Sequence, residues 1–440
     1  MSVDRTDWVA LHVYKKLQRE LGTGGAVLLG LGSILGTGVF VSLAVAAGVA
    51  GTGVLAAVGL AAGLAMCNAM SSAQLAAAHP VAGGTYAYGY RYLTPALGFT
   101  AGWMFLAAKS ASAATAALGA ASYLLLALDQ PVGGWPTVAV ALALVAGVTS
   151  LVLSGLRRSN AANAVIVTLT VGVLMAFVVA GLPEATAGAG ERLADTFRLG
   201  PAALLHAAAL VFVAFTGYGR IATLGEEVRD PGRTIPKAIA ATVLITATLY
   251  ALVLFVGVAA LGADGFARAG GGAASLEDAA RAVGGAGLAS VVGVGAIVAM
   301  LGVLLNLVLG LSRVALAMGR EGDLPRGLAK LDATGKTPVP AVLLVAAVVT
   351  GLTLVGSIET AWTFSAVTVL VYYGITNAAA LRLPVDARRY PRWVSWLGLS
   401  GCVGLAAFVP WPYIVAAAGL IAAGMAWRWA YRKLNQNRFA

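Results

Sequence analysis

Two short stretches of this 440-residue chain set glycine and threonine inside apolar sequence: GSILGTGVF, from Gly32 to Phe40, and FTGYGRIATLGEE, from Phe215 to Glu227. Each carries a Thr-Gly pair, Thr37-Gly38 in the first and Thr216-Gly217 in the second. Glycine weakens a helix interior, and in lipid the freed backbone groups cannot stay unpaired. Such a break persists only where it faces protein, water or a ligand. The chemistry on offer is capture of charge by backbone. N–H groups at the helix start after Gly36, with the Thr37 hydroxyl, form a positive terminus able to hold a carboxylate. A helix ending near Val213 to Thr216 leaves carbonyls that suit an ammonium group. Together they describe a zwitterionic α-amino acid. Gly32, Gly36 and Gly38 would equally let helices pack closely, as small residues do in membranes; the recurrence of the pattern in the second stretch favours a site. A further charged group, Lys109 in GWMFLAAKSASAATAALG, lies in mid-span. An ammonium there costs at least about 2.5 kcal/mol on insertion scales, so it should face the bundle interior or a wet cavity, where it can titrate.

The elements that position these groups are membrane helices. With 60% hydrophobic and 11% charged residues and 56 glycines, the chain cannot hide its apolar surface in a water-soluble core. Twelve apolar runs are long enough to cross the hydrocarbon, at about 24–46, 51–75, 97–126, 136–154, 161–182, 201–222, 236–261, 287–316, 338–356, 359–381, 394–409 and 411–429. The glycine-threonine breaks fall in spans 1 and 6. Two interrupted spans at matching places point to the midplane site of a secondary transporter built from inverted repeats. Spans 1 to 5 (24–182) and 6 to 10 (201–381) are the expected halves, with 394–429 appended, a cytoplasmic segment 1–23 before them and a tail 430–440 after.

With the N-terminus placed in the cytoplasm, inner segments together with the inner span ends (Lys237, Arg313 and Arg428) hold 23 of the 29 Lys and Arg and outer loops four, with Lys109 and Arg220 counted apart within spans. The positive-inside rule then puts both termini in the cytoplasm. The net charge of +11 follows from these loops and suits anionic lipid headgroups rather than nucleic acid. The first 23 residues are charged throughout and do not read as a cleavable signal peptide; LHVYKKLQREL reads as an amphipathic helix on the inner surface. The outer loops 183–200 and 262–286 read as solvated connectors, and the inner loop 317–337 as holding a short helix at most. Cys67 and Cys402 fall in apolar spans and read as small hydrophobes.

GSILGTGVF resembles the first-helix signature of amino acid permeases in the amino acid-polyamine-organocation superfamily, and VAFTGYGRIATLGEEVRDPGRTIPKAI resembles their sixth helix and following loop. PVAGGTYAY (Pro80 to Tyr88) and LSRVALAMGREGDLP (Leu311 to Pro325) are similar to the loops after helices 2 and 8. Among the branches, the chain most resembles prokaryotic relatives of the cationic amino acid transporters. The resemblance implies an all-α membrane protein of twelve transmembrane helices with a five-plus-five inverted repeat, LeuT-like, discontinuous in helices 1 and 6. It implies substrate binding by Ile34, Gly36, Thr37 and Gly38, by Val213, Ala214 and Thr216, and by Phe215 as an aromatic gate; a core aromatic packed between helices is the other reading of Phe215. Proton-coupled relatives often carry a lysine in helix 5. Span 5 here has none, with Thr170 near that position, so Lys109 is expected to supply the coupling charge; the alternative is a structural cation paired with helix carbonyls. Sodium-driven relatives supply hydroxyls from helix 8, and the equivalent stretch GAIVAMLGVLL has none, which favours proton coupling or exchange.

Arg220 is expected to cap one end of the site or to pair with Glu226 or Glu227. GEEVRDPGRTIPKAI should pack against the inner helices. Asn306, Ser365, Thr368, Tyr372, Tyr373 and Asn377 read as interhelical polar contacts. The function expected is alternating-access transport of an α-amino acid across the cytoplasmic membrane, with no cofactor or metal; an exchanger or exporter shares the same architecture. A membrane-embedded enzyme would need a convergent catalytic set, yet His12 and His79 lie in cytoplasmic segments, His206 begins span 6, and no acid lies deep in a span. A channel would need a continuous polar stripe.

Overall fold

The structure is a computed structural model that describes residues 19, 21–192, 200–223, 225–268, 275–355 and 358–436; the surface helix expected over residues 11–21 falls almost wholly outside them. It is nearly all helix, and among the described residues the one β-type contact is an isolated bridge between Leu21 and Val228. Helix α1 (Thr23–Gly32) stops after ten residues, roughly 15 Å and half the hydrocarbon thickness. A turn over 33–36 follows, and the helix restarts through a wide π turn, Gly38–Ser42, into α2 (Leu43–Ala50). Gly51, at φ +56°, a value that L side chains avoid, reverses the chain into α3 (Val54–Ala78).

A short α4 (Thr85–Tyr92) leads to α5 (Pro95–Ala127), opened by Pro at its first position and by the Thr94 hydroxyl accepting from Leu97 N–H. Then come α6 (Gly134–Leu153), α7 (Leu156–Arg192) and α8 (Gly200–Phe215). After α8 the chain tightens into a 3-10 turn at Thr216–Tyr218 before α9 (Gly219–Thr223). The long α10 (Pro231–Arg268) bends at Gly262 and α11 (Ser275–Arg320) at Gly284 and Gly285. Four helices complete the chain: α12 (Val339–Thr353), α13 (Ile358–Leu381), α14 (Arg392–Ala406) and α15 (Trp411–Gln436).

Nine helical stretches among the described residues are long and apolar enough to cross a membrane, and α1 and α12 are shorter apolar helices. Position in the bundle follows from burial. The apolar window of α5 is 83% buried and that of α15 11%, so α5 is central and α15 peripheral. The outer surface exposes Val165, Leu169, Val179, Leu244, Val294 and Leu343, which suits lipid contact. Trp135, Trp393, Trp411 and Trp429 are exposed near helix ends, where amphipathic rings favour the membrane interface.

Two connector expectations need correction. Residues 183–192 continue α7 through Pro183, and the stretch 262–286 is helical on both sides of residues 269–274, with Phe266, Leu276, Ala279 and Ala280 buried. Apolar residues at helical spacing gave those segments a face to bury. Of the inner loop 317–337, residues 317–320 continue α11, and the rest holds one short 3-10 turn, Arg326–Ala329, in line with a short helix at most.

Candidate functional site

The first break is made by close approach. A methyl group on Gly36 would collide with Val303 and stand 2.8 Å from the Ala299 carbonyl, and one on Gly38 would collide with the Tyr250 hydroxyl. A side chain at Gly217 would stand 2.5 Å from the Ser33 carbonyl. The glycines therefore bring the two interrupted segments against one another. Ile34 N–H reaches Leu31 O at 3.0 Å and Gly36 N–H reaches Ile34 O at 3.0 Å, after which Val39 and Phe40 both donate to Gly36 O. The restarting helix thus begins at Gly36, and its first-turn N–H groups, Thr37 and Gly38 among them, lie beyond the reach of intrahelical acceptors.

The second interruption is gentler than an unwound segment, because the flanking residues Phe215 (φ −80°, ψ −17°) and Gly219 (φ −55°, ψ −23°) keep helical dihedrals. Its carbonyls are claimed by side chains. Tyr250 Oη on α10 donates to Ile34 O at 2.9 Å and lies 3.3 Å from Ala214 O, so one hydroxyl serves both breaks. Tyr373 Oη donates to Thr216 O at 3.0 Å, and Trp362 Nε1 to Leu210 O at 3.2 Å. Thr216 Oγ1 donates to Val213 O at 2.6 Å and accepts from Lys109 Nζ at 2.5 Å. Lys109, only 4% exposed, therefore reaches from the middle of α5 to the turn after α8.

Six of the nine expected site and coupling residues line one cavity: Ile34, Thr37, Gly38, Lys109, Val213 and Ala214. Ser33, Ser112, Val303, Leu307 and Trp362 complete its wall. The remaining three stand behind it. Gly36 packs on α11, Thr216 holds the lysine, and Phe215 tilts against Tyr250 with ring centroids 5.2 Å apart. The cavity measures about 10 Å³, about enough for one water molecule, so the site is closed in this conformation. Its wall holds one charged group, Lys109, and no carboxylate. Among the described residues no cluster of three His, Cys, Asp or Glu could hold a metal ion.

Sequence reasoning missed Tyr250, Trp362, Ser33 and Ser112. Tyr250 had a readable signal: a phenol in an apolar span needs a hydrogen-bond partner, and interrupted helices supply spare carbonyls. The pairing expected for Arg220 is corrected. Glu227 pairs with Arg313 at 3.0 Å and Glu226 with Arg320 at 3.2 Å, because those arginines reach the loop from α11. The loop itself packs as expected: Leu21 N–H donates to Glu227 O at 3.0 Å and Ala82 N–H to the Glu226 carboxylate at 3.0 Å. The polar residues of spans 8 and 10 bridge helices, Asn306 donating to Asn163, Asn377 to Asn68, and Ser365 lying 3.0 Å from Ser112.

Comparison with known proteins identifies the family. The family profile described as amino acid permease matches residues 21–431. A Mycobacterium tuberculosis protein named only as a transporter is 44% identical over 419 residues, covering 93% of this chain and 91% of its own length. The branched-chain amino acid permease of Bacillus subtilis is 29% identical over 340 residues (74% of this chain, 72% of that protein), and the methylthioribose transporter of the same organism 28% over 353 (77% and 75%). A match over nearly the whole length, on a bundle of apolar helices, makes this chain a multi-pass membrane protein that belongs to the amino acid permease family.

Proposed function

We propose that the chain is a secondary transporter of an α-amino acid, working by alternating access across the cytoplasmic membrane with both termini inside. The observation that supports the reading is the shared cavity: Thr37 and Gly38 where the first helix restarts, Ile34, Val213 and Ala214 beside the two breaks, and Lys109 line one space. First-turn N–H groups at Thr37 and Gly38 suit the substrate carboxylate, and the carbonyls of Ile34, Val213 and Ala214, each already accepting from Tyr250 or Thr216, keep a second lone pair for its ammonium. A cavity of about 10 Å³ cannot admit an amino acid, so transport requires the segments around the breaks to move apart on one side or the other. Twelve spans in two inverted halves, 24–182 and 201–381, give such a motion its symmetry.

Proton coupling through Lys109 fits the same geometry. Its ammonium contacts Thr216 at the second break, and a buried lysine with no carboxylate beside it is able to exchange a proton as the site opens. No hydroxyl of α11 lines the cavity, where Val303 and Leu307 stand, which disfavours sodium. The expected result in proteoliposomes is accumulation of an amino acid driven by an inward proton gradient, with Lys109→Ala abolishing the pH dependence of uptake. Uptake by K109A that keeps its pH dependence overturns the coupling role. Counterflow without net accumulation assigns the same architecture to exchange. The hydroxyls of Ser33, Thr37 and Ser112 around the cavity favour, as a second reading, a polyhydroxylated solute like that of the methylthioribose transporter; competition by methylthioribose but by no amino acid selects it.

A further inference from the structure

We propose that the basic surface where the start of α10 meets the approach to α14 binds the phosphate headgroup of an anionic phospholipid, away from the cavity between the breaks. Residues 229–237 and 382–392 carry seven Lys and Arg against two acids, Asp230 and Asp386. The fold brings these distant segments together: Arg389 Nη2 stands 3.5 Å from the place a methyl group on Gly232 would occupy. Gln74, near the end of α3, fixes that approach by accepting from the backbone N–H groups of Arg389 and Tyr390 at 3.3 and 3.4 Å. Arg233 and Lys237, one turn apart on α10, thereby face Arg389 and Arg392. All four are exposed, and among the described residues none of their side chains makes a hydrogen bond or an ion pair. Asp230 and Asp386 are exposed as well and pair with none of them. Arg388 is spent, its Nη2 donating to Leu383 O at 2.6 Å. A general excess of basic residues at one end of a membrane protein sets their number, but it does not require two separate segments to crowd cations against each other. Like charges so placed repel until an anion joins them.

The apolar surroundings say what carries the anion. Trp393 and Trp396, 61% and 56% exposed, stand beside Arg392 where α14 opens, and rings so placed mark the level of the headgroups. Farther along, each helix turns apolar on the face that bears its cations. Leu244 lies two turns beyond Lys237 on α10, Val403 lies three turns beyond Arg392 on α14, and both are exposed. Both helices pack against α3. Charge at the helix starts and exposed aliphatic side chains in line behind it match a phosphate with acyl chains attached. A free phosphate would use the cations and leave the apolar continuation without a role.

The test is lipid titration of the purified, delipidated full-length protein in a neutral detergent. Thermal unfolding is followed as dioleoyl phosphatidylglycerol, dioleoyl phosphatidylcholine or inorganic phosphate is added at constant ionic strength. A ligand of the folded state raises the midpoint saturably by mass action. The expected result is a rise of several degrees with phosphatidylglycerol, little with phosphatidylcholine and none with inorganic phosphate. Near an anionic headgroup each Lys or Arg is worth about a five-fold change in affinity, so Arg389→Gln should raise the half-saturating lipid concentration about five-fold, and Arg389→Gln with Arg233→Gln roughly twenty-five-fold. Lys237→Gln, an exposed change away from the Gln74 contact, should weaken binding as R389Q does and serves if R389Q fails to fold. Lys330→Gln removes an exposed charge of the inner loop outside the two segments and should leave the titration unchanged. Equal stabilisation by the two lipids overturns the proposal, as does an equal response to inorganic phosphate. So does an unchanged half-saturating concentration in K237Q, or a K330Q variant weakened as much as K237Q, which would reduce the effect to net charge. No transported solute enters the measurement, so a chain that carries no amino acid can pass it and a working transporter can fail it.

Discussion

Tyr250 has one proton to donate and two broken helices within reach of it. Ile34 O at 2.9 Å and Ala214 O at 3.3 Å belong to the two segments expected to move against each other. Tyr250→Phe leaves a buried carbonyl short of its donor, a loss of about 1–3 kcal/mol, and should lower the unfolding midpoint while weakening substrate binding. A variant as stable as the wild type, with unchanged affinity, contradicts the tie between the breaks. At this scale the sequence was informative where a residue is costly to place. Gly38, Thr37 and Lys109 stand out from apolar surroundings because each defies the lipid rule of its position. Trp362 and Phe215 do not stand out: an aromatic in a bundle is ordinary, and only the fold tells which one faces the cavity.

Among the elements, the basic end of the bundle is held by buried charge. Asp323, fully buried after α11, accepts from Tyr86 and Tyr90 of α4 and from Arg428 and Arg432 of α15, with 3.0 Å contacts to both arginines. One carboxylate thus pins the peripheral last helix to the core. Asp323→Asn should destabilise the fold by about 3 kcal/mol, toward the low end for a broken buried pair because Arg432 reaches solvent, and should raise proteolytic susceptibility near α15; an unaltered melting curve refutes the clamp. The neighbouring connection after α3 has a pH signature. Burial, reinforced by Arg91, holds the His79 imidazole down to about 4 from its ordinary 6.5. Its contribution to stability is complete above pH 6.5 and is lost as the pH falls toward 4, since the unfolded chain takes the proton first. Replacing His79 by Gln should flatten that part of the stability profile and leave the pH dependence of uptake in place. Loss of the uptake profile in H79Q would move coupling from Lys109 to this histidine. None of these contacts was legible beforehand: Asp323 and Arg428 lie 105 residues apart, and local pattern carries no information about such partners.

For the whole molecule, class was legible because composition alone decides it. A chain with 60% hydrophobic residues and 11% charged has nowhere to put its surface except in lipid. The breaks were legible as positions but not as shapes: the first is a turn at Ser33 to Gly36, the second a 3-10 tightening that keeps helical dihedrals. The difference follows from what satisfies them, since tyrosine and threonine hydroxyls absorb the freed carbonyls of the second segment. Helical extensions such as 275–283 were missed because glycine-rich flanks at Gly284 and Gly285 resemble loop sequence while their kinks end helices.

The central claim is that one backbone break holds a carboxylate and the other an ammonium. It is tested most directly by ligand-induced thermal stabilisation of the purified protein with the amino acid that stabilises it best, compared with the methyl ester and the N-acetyl form of that same amino acid. The account predicts that the free zwitterion raises the midpoint while both blocked forms lose nearly all of the effect. Equal stabilisation by the ester and the N-acetyl derivative would contradict it.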